Sequence, residues 1–404
     1  MIDPAIWNTI VFTIFILFFT FIIIVALADY RKKRKIEKKP LVSIIVPTYN
    51  DAGTLGKTIE SVFDSYDNNL IDLIVVNDGS DSETDRILKD YRTRFSFKVI
   101  KNEKNIGKVR SINRAFDLTK GNIILVLDSD TILNSKAMED MLSRLQEEHV
   151  GATSCRYKPI NRGFLARMQE IEYGMISLIQ TAYNAKTTMS LWGGCMAFKR
   201  KAFTEVSMLT EHALIEDMDL ALKLGRSGWK VEEASSFVYS SVPTKLKEWF
   251  LQKLRWGAGG IQNVLRHFPF FIFHPVFLFF TFTYTLLTVS FAIALFHNIL
   301  FFENMFRLFR YFRDLGYSVI TTFGLMKLTA GFHLFKAIFI YLLYPVFSIP
   351  YALINMESKR EWYKVLLVIP FSAVYFPIFL VVAIISYAMG IYKFFTLKEG
   401  QRAW

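Results

Sequence analysis

The chain has 404 residues, 52% of them hydrophobic and 39 of them phenylalanine, a composition too apolar for an ordinary soluble protein. Its net charge of +12 does not indicate a nucleic-acid partner, because much of the excess flanks apolar stretches, where it suits lipid headgroups or a diphosphate. Two cysteines exclude a disulfide framework, and no Cys/His cluster indicates zinc.

The first predicted element is an N-terminal transmembrane anchor, assigned to residues 1–39. Pro4 to Ala28 carries no charged residue and is long enough to cross a bilayer core. The basic run Arg31 to Lys35 follows it, which predicts a cytoplasmic flank. A cleaved signal peptide would carry its charges before the apolar run, so we expect a retained anchor with an outward N-terminus.

Residues 40–244 have the pattern of a cytosolic α/β domain, in which short β-branched runs alternate with amphipathic, helix-length segments. The predicted strands are Leu41 to Val46, Leu70 to Val76, Phe97 to Ile100 and Asn122 to Leu127, and the predicted helices are Gly53 to Tyr66, Ser82 to Tyr91, Gly107 to Leu118 and Ser135 to Gln146. This alternation predicts a doubly wound, mostly parallel sheet. Such sheets bind ligands at the carboxyl ends of their strands, where the polar clusters of this chain fall.

Beyond the domain, residues 245–269 are predicted to form an amphipathic helix along the membrane surface. Residues 270–404 are assigned to transmembrane and interfacial helices, with spans expected in 268–302, 337–356 and 365–392 and an interfacial piece at 303–314. Three crossings would place the C-terminal basic residues outside, against the positive-inside tendency. Two alternatives would resolve this conflict: a re-entrant piece within 268–302, or one more crossing between 317 and 335.

Asp128-Ser129-Asp130 is the first candidate for chemistry, because it follows a predicted buried strand. Hard carboxylate oxygens suit Mg²⁺ or Mn²⁺ bridging a diphosphate, and the ion neutralises charge that develops on the leaving group. A surface turn is the alternative for such a triplet. Its position at a strand end favours the metal.

Two further clusters suit a nucleotide. Asp78 could accept a hydrogen bond from a nucleobase, or simply cap the next helix, while Tyr49 could stack on a base or only pack. Lys108 opens a helix beside free backbone amides and is a candidate diphosphate contact, with an exposed first-turn lysine as the alternative.

Glu216-Asp217-Met218-Asp219 places three acids at a helix start, where they could be ordinary helix-dipole partners. A transferase that acts by direct displacement also needs a carboxylate base, and Asp217 is our candidate. On the amphipathic helix, Arg255 could bind phosphate and Trp256 could stack on a sugar. A basic-aromatic belt at the headgroups is the alternative.

These motifs together resemble, in order and spacing, family 2 glycosyltransferases, and in particular the processive membrane branch that includes cellulose, chitin, hyaluronan and poly-N-acetylglucosamine synthases. The resemblance covers about Pro40 to Gly260. It rests on Pro47-Thr48-Tyr49-Asn50, Asn77-Asp78-Gly79-Ser80, Asn105-Ile106-Gly107-Lys108, Asp128-Ser129-Asp130, Trp192-Gly193-Gly194-Cys195, Glu216-Asp217 and Gln252-Lys253-Leu254-Arg255-Trp256.

The resemblance implies a GT-A fold and an inverting, Mg²⁺- or Mn²⁺-dependent transfer from a UDP-sugar to a glycan acceptor at the cytoplasmic face of the cell membrane. The implied site has four parts: Thr48, Tyr49, Asp51, Asp78 and Lys108 for the nucleotide; Asp128 and Asp130 for nucleotide and metal; Asp217, paired with Glu216, for catalysis; and Gly193, Gly194, Cys195, Gln252, Arg255 and Trp256 for the acceptor, diphosphate and terminal sugar. Asp51 and Asn77 depart from the usual residues, which leaves the uridine contacts less defined.

Three functions remain open at this stage. A processive synthase, with N-acetylglucosamine as the first-choice sugar, would use the C-terminal helices as a channel for the chain. A single-transfer enzyme would glycosylate a membrane lipid, although such enzymes generally lack the Gln-x-x-Arg-Trp pentad. A transporter or scaffold with a degenerate transferase domain is the non-enzymatic alternative. The sequence does not decide linkage, product length or the need for an accessory export subunit.

Overall fold

A computed structural model describes residues 36–185, 188–272 and 359–396, together with 13, 17, 20–25 and scattered residues between 307 and 356. The chain divides into two compact units, residues 1–19 with 279–384 and residues 20–278 with 385–404. Every residue of the candidate site belongs to the second unit. The predicted N-terminal anchor, and the spans and interfacial piece predicted within 273–356, lie largely outside the described residues.

The second unit is built on one eight-stranded sheet with the order β3-β2-β1-β4-β7-β6-β8-β5. Its strands are β1 Val42–Thr48, β2 Ile71–Asn77, β3 Lys98–Lys101, β4 Ile123–Leu127, β5 Thr131–Leu133, β6 Val150–Pro159, β7 Cys195–Lys199 and β8 Lys230–Ser240. The strands β1 to β4 pair in parallel. β7 runs antiparallel to both β4 and β6, while β6 and β8 are parallel. The sheet is therefore mixed, and the predicted parallel arrangement describes its first half.

The helices of the unit cover both faces of this sheet. They are α1 Ala52–Ser65, α2 Ser82–Arg94, α3 Lys108–Phe116, α4 Ala137–Leu145, α5 Phe164–Asn184, α6 Arg200–Glu205, α7 Glu216–Arg226, α8 Leu246–Arg266 and α9 Phe268–Ile272. The four predicted strands and the four helices predicted between residues 53 and 146 all exist, with ends within three residues of those expected.

Both faces of the central strands are buried, which explains their continuous apolar runs. On β1, Ile44 and Val46 pack into the core on one side of the sheet, and Ile45 packs into the core on the other. Since side chains alternate along a strand, each face needs its own helical layer. Because β1 is parallel to both β2 and β4, the loops that follow these three strands lie at the same edge of the sheet.

Small residues hold α8 closely against the end of the C-terminal helix α10, Phe376–Thr396. A Cβ on Gly257 would lie 2.5 Å from Ser386, and one on Gly390 would lie 2.6 Å from Ile261. α8 is also tied to the segment before α7, because Gln262 accepts from the Leu214 amide and Asn263 donates to the Ile215 carbonyl. The helix predicted at residues 245–269 corresponds to α8, Leu246–Arg266, which packs on the rest of the α/β unit.

Asp219, the third acid of α7, is a structural residue. It is 1% exposed and accepts hydrogen bonds from Thr210, Arg266 and His267. Burial alone would raise its pKa, but the hydrogen bonds from His267 and Thr210 and the nearby Lys223 lower the pKa to about 2. Asp219 thus anchors the end of α8 to α7.

We expect Asp219→Asn to lower the free energy of unfolding by about 3–5 kcal/mol, because it removes a buried carboxylate that pairs with Arg266 and Lys223 and with the buried His267 ring. Since the folded-state pKa is depressed, this contribution is present above the unfolded pKa of about 3.9 and is lost as the pH falls toward 2. Denaturation midpoints measure the change. Asp90→Asn on the exposed face of α2 is the control, and equal stability of the two variants would contradict the assignment.

Among the described residues, one helical segment, Arg360–Thr396, is long and apolar enough to cross a membrane by length and composition. It contains a 3₁₀ turn at Lys359–Val365, a wide π turn at Phe371–Tyr375 and α10. It overlaps the span predicted at 365–392.

Candidate active site

A cleft of about 850 Å³ opens at the edge of the sheet where β1, β2 and β4 end. The walls come from these strand ends, the start of α3, the loop before β7, the start of α7 and the middle of α8. Segments more than 200 residues apart therefore surround one space. The parallel strands place their polar ends at the same edge, as the sequence predicts.

Fourteen of the fifteen residues predicted for the site line this cleft. They are Thr48, Tyr49, Asp51, Asp78, Lys108, Asp128, Asp130, Gly193, Gly194, Glu216, Asp217, Gln252, Arg255 and Trp256. Cys195 does not. Its side chain is fully buried and packs against the Met141 sulfur, because alternation along β7 turns residue 195 toward the core. The expectation that Cys195 lines the acceptor end is therefore wrong for its side chain.

The loop after β1 forms one end of the cleft. Asn50 adopts a left-handed backbone with φ of 59°, which Asn tolerates better than most residues. The side-chain carbonyl oxygen of Asn50 accepts a hydrogen bond from the Asp81 backbone N–H at 2.9 Å, and this bond links the loops after β1 and β2. Tyr49 is 48% exposed at the cleft wall, and Ser129 donates to the Asp51 carboxylate.

Asp78 shapes the loop that carries Lys108. Its carboxylate accepts from the Ile106 and Gly107 amides and from the Asn102 side chain, each at 2.8 Å. Gly79, with φ of 72°, is needed because a Cβ would lie 2.6 Å from the Lys104 backbone. The close approach that Gly79 permits is therefore to the neighbouring loop.

Lys108 lies between the two acidic groups of the cleft. Its ammonium pairs with Asp128 at 2.7 Å and with Glu216 at 3.2 Å. Burial would lower the lysine pKa, but the carboxylates of Asp128 and Glu216 outweigh it and raise the pKa above its ordinary value. Lys108 is therefore a fixed cation at the centre of the site.

Asp128 and Asp130 follow β4 in a turn that is tied to α1, because Thr58 donates to the Ser129 carbonyl. Burial, followed by the charges of Asp128 and Asp51, raises the pKa of Asp130 to about 6. Such repulsion between acids is what a bound cation would relieve.

The donor set fits a divalent ion that is shared with a ligand. Asp128 and Asp130 offer carboxylate oxygens, and Mg²⁺ in proteins often takes only one or two such groups along with phosphates and water. Within the described residues, no three Asp, Glu, His or Cys side chains come together as a self-sufficient metal site. A ligand would therefore have to complete the coordination.

Glu216 and Asp217 are the first two residues of α7, and their pKa values are shifted in opposite directions. Burial would raise the pKa of Glu216, but Lys108 outweighs it and lowers the pKa. Burial and then the Glu216 charge raise the pKa of Asp217 to about 7. A Cβ on Gly193 would lie 2.5 Å from the Asp217 carboxylate, so this glycine admits the carboxylate to the cleft wall.

An aromatic wall, formed by Tyr173, Trp192 and Trp256, lines the same cleft as Asp217. Trp256 packs edge-on against Trp192 with centroids 6.3 Å apart, and both contact the Tyr173 ring. Lys253 lies beneath the wall, 4.0 Å from the Trp256 ring centre, and forms a fully buried ion pair with Glu172 at 2.9 Å. The cation holds Trp256 in place.

The guanidinium of Arg255 lines the cleft and makes no hydrogen bond or ion pair with any residue that the structure describes. An arginine guanidinium that lines a cleft is suited to bind a phosphate pair in its planar fork, and the charge of Arg255 also acts on the Glu216 and Asp217 carboxylates.

Sequence reasoning missed Tyr157, Tyr173 and the buried pair Glu172–Lys253. Tyr157 and Tyr173 both line the cleft. Lys253 belongs to the Gln-x-x-Arg-Trp pentad, but functions were predicted only for the other three named residues of that motif. The helical spacing of Lys253 and Trp256, one turn apart, could have indicated that they share a face.

Part of the chain that forms this site is similar to known proteins. Residues 43–207 match the family model described as "Glycosyl transferase family 2". Poly-beta-1,6-N-acetyl-D-glucosamine synthase of Staphylococcus epidermidis is 27% identical over 234 residues, 56% of each chain. The Staphylococcus aureus protein of the same name is 26% identical over 235 residues. The chain thus matches little more than half the length of these curated relatives.

In structure, the chain is similar to a mannosyltransferase from Pyrobaculum calidifontis in complex with GDP-Man and Mn2+. The TM-score is 0.58 at 16% sequence identity, covering 87% of this chain and 97% of the other. At this identity the similarity shows the fold, a GT-A-like sheet.

Proposed function

We propose that this chain transfers a sugar from a UDP-sugar to a growing polysaccharide, with N-acetylglucosamine as the first choice of sugar. The match of residues 43–207 to the family 2 glycosyltransferase model and the similarity to poly-N-acetylglucosamine synthases support this proposal. The proposed reaction is inverting and requires Mg²⁺ or Mn²⁺. It takes place at the cytoplasmic face of the cell membrane, with the chain embedded by several spans, and it is coupled to export of the glycan.

One observation carries this proposal. A single cleft brings together the Asp128–Asp130 pair, the carboxylate of Asp217 with a pKa of about 7, and the Arg255–Trp256 pair. These are the parts that a displacement at a sugar carbon needs: a site for the leaving diphosphate, a proton acceptor, and a clamp for the acceptor sugar.

At the nucleotide end, Tyr49 would stack on the base, and Thr48, Asp51 and the loop held by Asp78 line the same cleft. Asp128 and Asp130 would hold the divalent ion, which when bound supplies a Lewis acid that stabilises the leaving diphosphate. Lys108 and Arg255 line the same cleft and add positive charge to it. The solved mannosyltransferase of similar fold is in complex with GDP-Man and Mn2+, which supports a nucleotide-sugar and a divalent ion as ligands here.

At the acceptor end, Asp217 removes the proton from the attacking hydroxyl as that oxygen bonds to the anomeric carbon and the diphosphate departs from the opposite face. Glu216 stays ionised against Lys108 and keeps the Asp217 pKa high enough for a base near neutral pH. Gln252 and Trp256 border the space that the terminal sugar would occupy, and the aromatic wall offers an apolar ring face to it.

The pKa of Asp217 predicts the pH dependence of the reaction. A base must be deprotonated, so kcat/KM should fall about tenfold per pH unit below pH 7 and level off above it. Glu216→Gln removes the neighbouring charge and should move the break to lower pH. Rate measurements between pH 5 and 9 check both expectations, and a profile that is flat between pH 5 and 7 would contradict the assignment.

Product length tests the processive proposal. Purified protein with a UDP-sugar and Mn²⁺ should yield long glycans on a gel. A product limited to one sugar on an extracted lipid would favour a single-transfer enzyme with a lipid acceptor. The Gln-x-x-Arg-Trp pentad at 252–256, with Trp256 held in the aromatic wall, supports the polymer.

A further inference from the structure

Tyr157, on β6, is a part of the cleft that the mechanism above does not use. Its ring packs against Trp192 with centroids 4.9 Å apart, and the side chain lines the cleft although it is only 7% exposed. Its hydroxyl is buried and has no hydrogen-bond partner among the residues that the structure describes.

A buried hydroxyl without a partner is unfavourable, whereas a phenylalanine ring would fill the same space without that penalty. The ring contact with Trp192 does not require the oxygen. A phenol at this position therefore indicates a hydrogen-bond acceptor that a ligand supplies. A phenol is protonated at neutral pH, so it can donate.

The position of the hydroxyl narrows the choice of ligand group. A Cβ on Gly194 would lie 2.5 Å from the Tyr157 oxygen and 2.9 Å from Asp128 Oδ2, so the phenol and the Asp128 carboxylate flank the same glycine. On its other side the ring meets Trp192 of the aromatic wall. The hydroxyl thus lies between the proposed diphosphate site and the proposed acceptor site, where the transferred sugar would be.

We propose that the Tyr157 hydroxyl donates a hydrogen bond to an oxygen substituent of the sugar carried by the bound nucleotide. Candidate acceptors are a ring hydroxyl or the carbonyl of an acetamido group. This inference rests on the proposed function, because it assigns a contact to the UDP-sugar. Tyr157 would then contribute to the affinity for the sugar and not to that for the nucleotide.

The test is calorimetric binding of UDP-N-acetylglucosamine and of UDP to the full chain with Mn²⁺. The Asp217→Asn background prevents consumption of the donor. Adding Tyr157→Phe should weaken UDP-N-acetylglucosamine binding about 5- to 10-fold, the effect of one hydrogen bond, and leave UDP binding unchanged. The thermal midpoint should not fall, since the substitution removes an unpaired buried hydroxyl.

Tyr66→Phe is the matched control, because Tyr66 is equally buried but its hydroxyl donates to the Pro40 carbonyl at 3.0 Å. It should lower the thermal midpoint and leave both affinities unchanged. Equal weakening of UDP and UDP-N-acetylglucosamine by Tyr157→Phe would place the phenol on the diphosphate and overturn the inference, as would no change in either. If the Asp217→Asn parent binds neither ligand, the proposed function itself fails and the inference falls with it.

Discussion

Asp217→Asn is expected to lower the rate of sugar transfer by about 10²–10⁴, the range that general-base catalysis typically supplies. The amide has nearly the shape of the carboxylate, so the approach to Gly193 is kept while the proton acceptor is lost. Because burial and the Glu216 charge already disfavour the ionised form of Asp217, the substitution should not destabilise the fold at pH 7.5. Initial rates of UDP release, measured with UDP-N-acetylglucosamine, give the effect.

Affinity for UDP separates loss of the base from loss of the fold. Asp217 lines the cleft and is assigned to the acceptor in the proposed mechanism, so its variant should bind UDP as the unaltered protein does. Asp64→Asn, on the exposed face of α1, controls for loss of a negative charge and should leave the rate unchanged. Full polymer yield from Asp217→Asn would remove this residue as the base.

Asp130→Asn should remove most of the metal-dependent part of donor binding and slow transfer by about 10³ or more, since a bound cation stabilises the leaving group by several kcal/mol. In EDTA the variant and the unaltered protein should bind UDP equally weakly. Titration of Mn²⁺ at fixed UDP measures the difference. An unchanged Mn²⁺ dependence of UDP binding would contradict the assignment of this acid to the ion.

Stability again provides the control for this second substitution. The pKa of Asp130 is raised to about 6 by burial and by the charges of Asp128 and Asp51. Removing one of three neighbouring charges should therefore leave the metal-free protein as stable at pH 7.5 as before, or more so. A fall in thermal midpoint without metal would point to a structural role.

The first half of the fold could be predicted from the sequence because its elements carry local signals. The β-branched runs at β1 and β4 and the amphipathic spacing of α1 define those elements without tertiary information. The polar ends of these strands also had to meet, since parallel strands end at a common edge. Most of the nucleotide-side residues were therefore identifiable.

The second half was harder because its pairings join distant, irregular segments. β6 and β8 are parallel neighbours with two shifts in register, and β5 has only three residues. Periodicity does not indicate which of such strands pair, or in which direction. The position of Cys195 shows the same limit, since its motif neighbours Gly193 and Gly194 line the cleft while alternation turns its own side chain inward.

The site residues that sequence reasoning missed share a physical cause. Tyr157 meets Trp192, and Glu172 meets Lys253, only after β6, α5 and α8 have packed. A tyrosine in a strand and a glutamate in a helix carry no local sign of these partners. Long-range side-chain pairs must be found in the structure.

A screen of radiolabelled UDP-sugars against membranes that contain this protein, with digestion of the product by linkage-specific hydrolases, tests the central claim most directly. We predict incorporation from UDP-N-acetylglucosamine into a long glycan, dependent on Mg²⁺ or Mn²⁺ and absent from Asp217→Asn membranes. Correctly folded protein that transfers no sugar from any UDP donor would contradict the account.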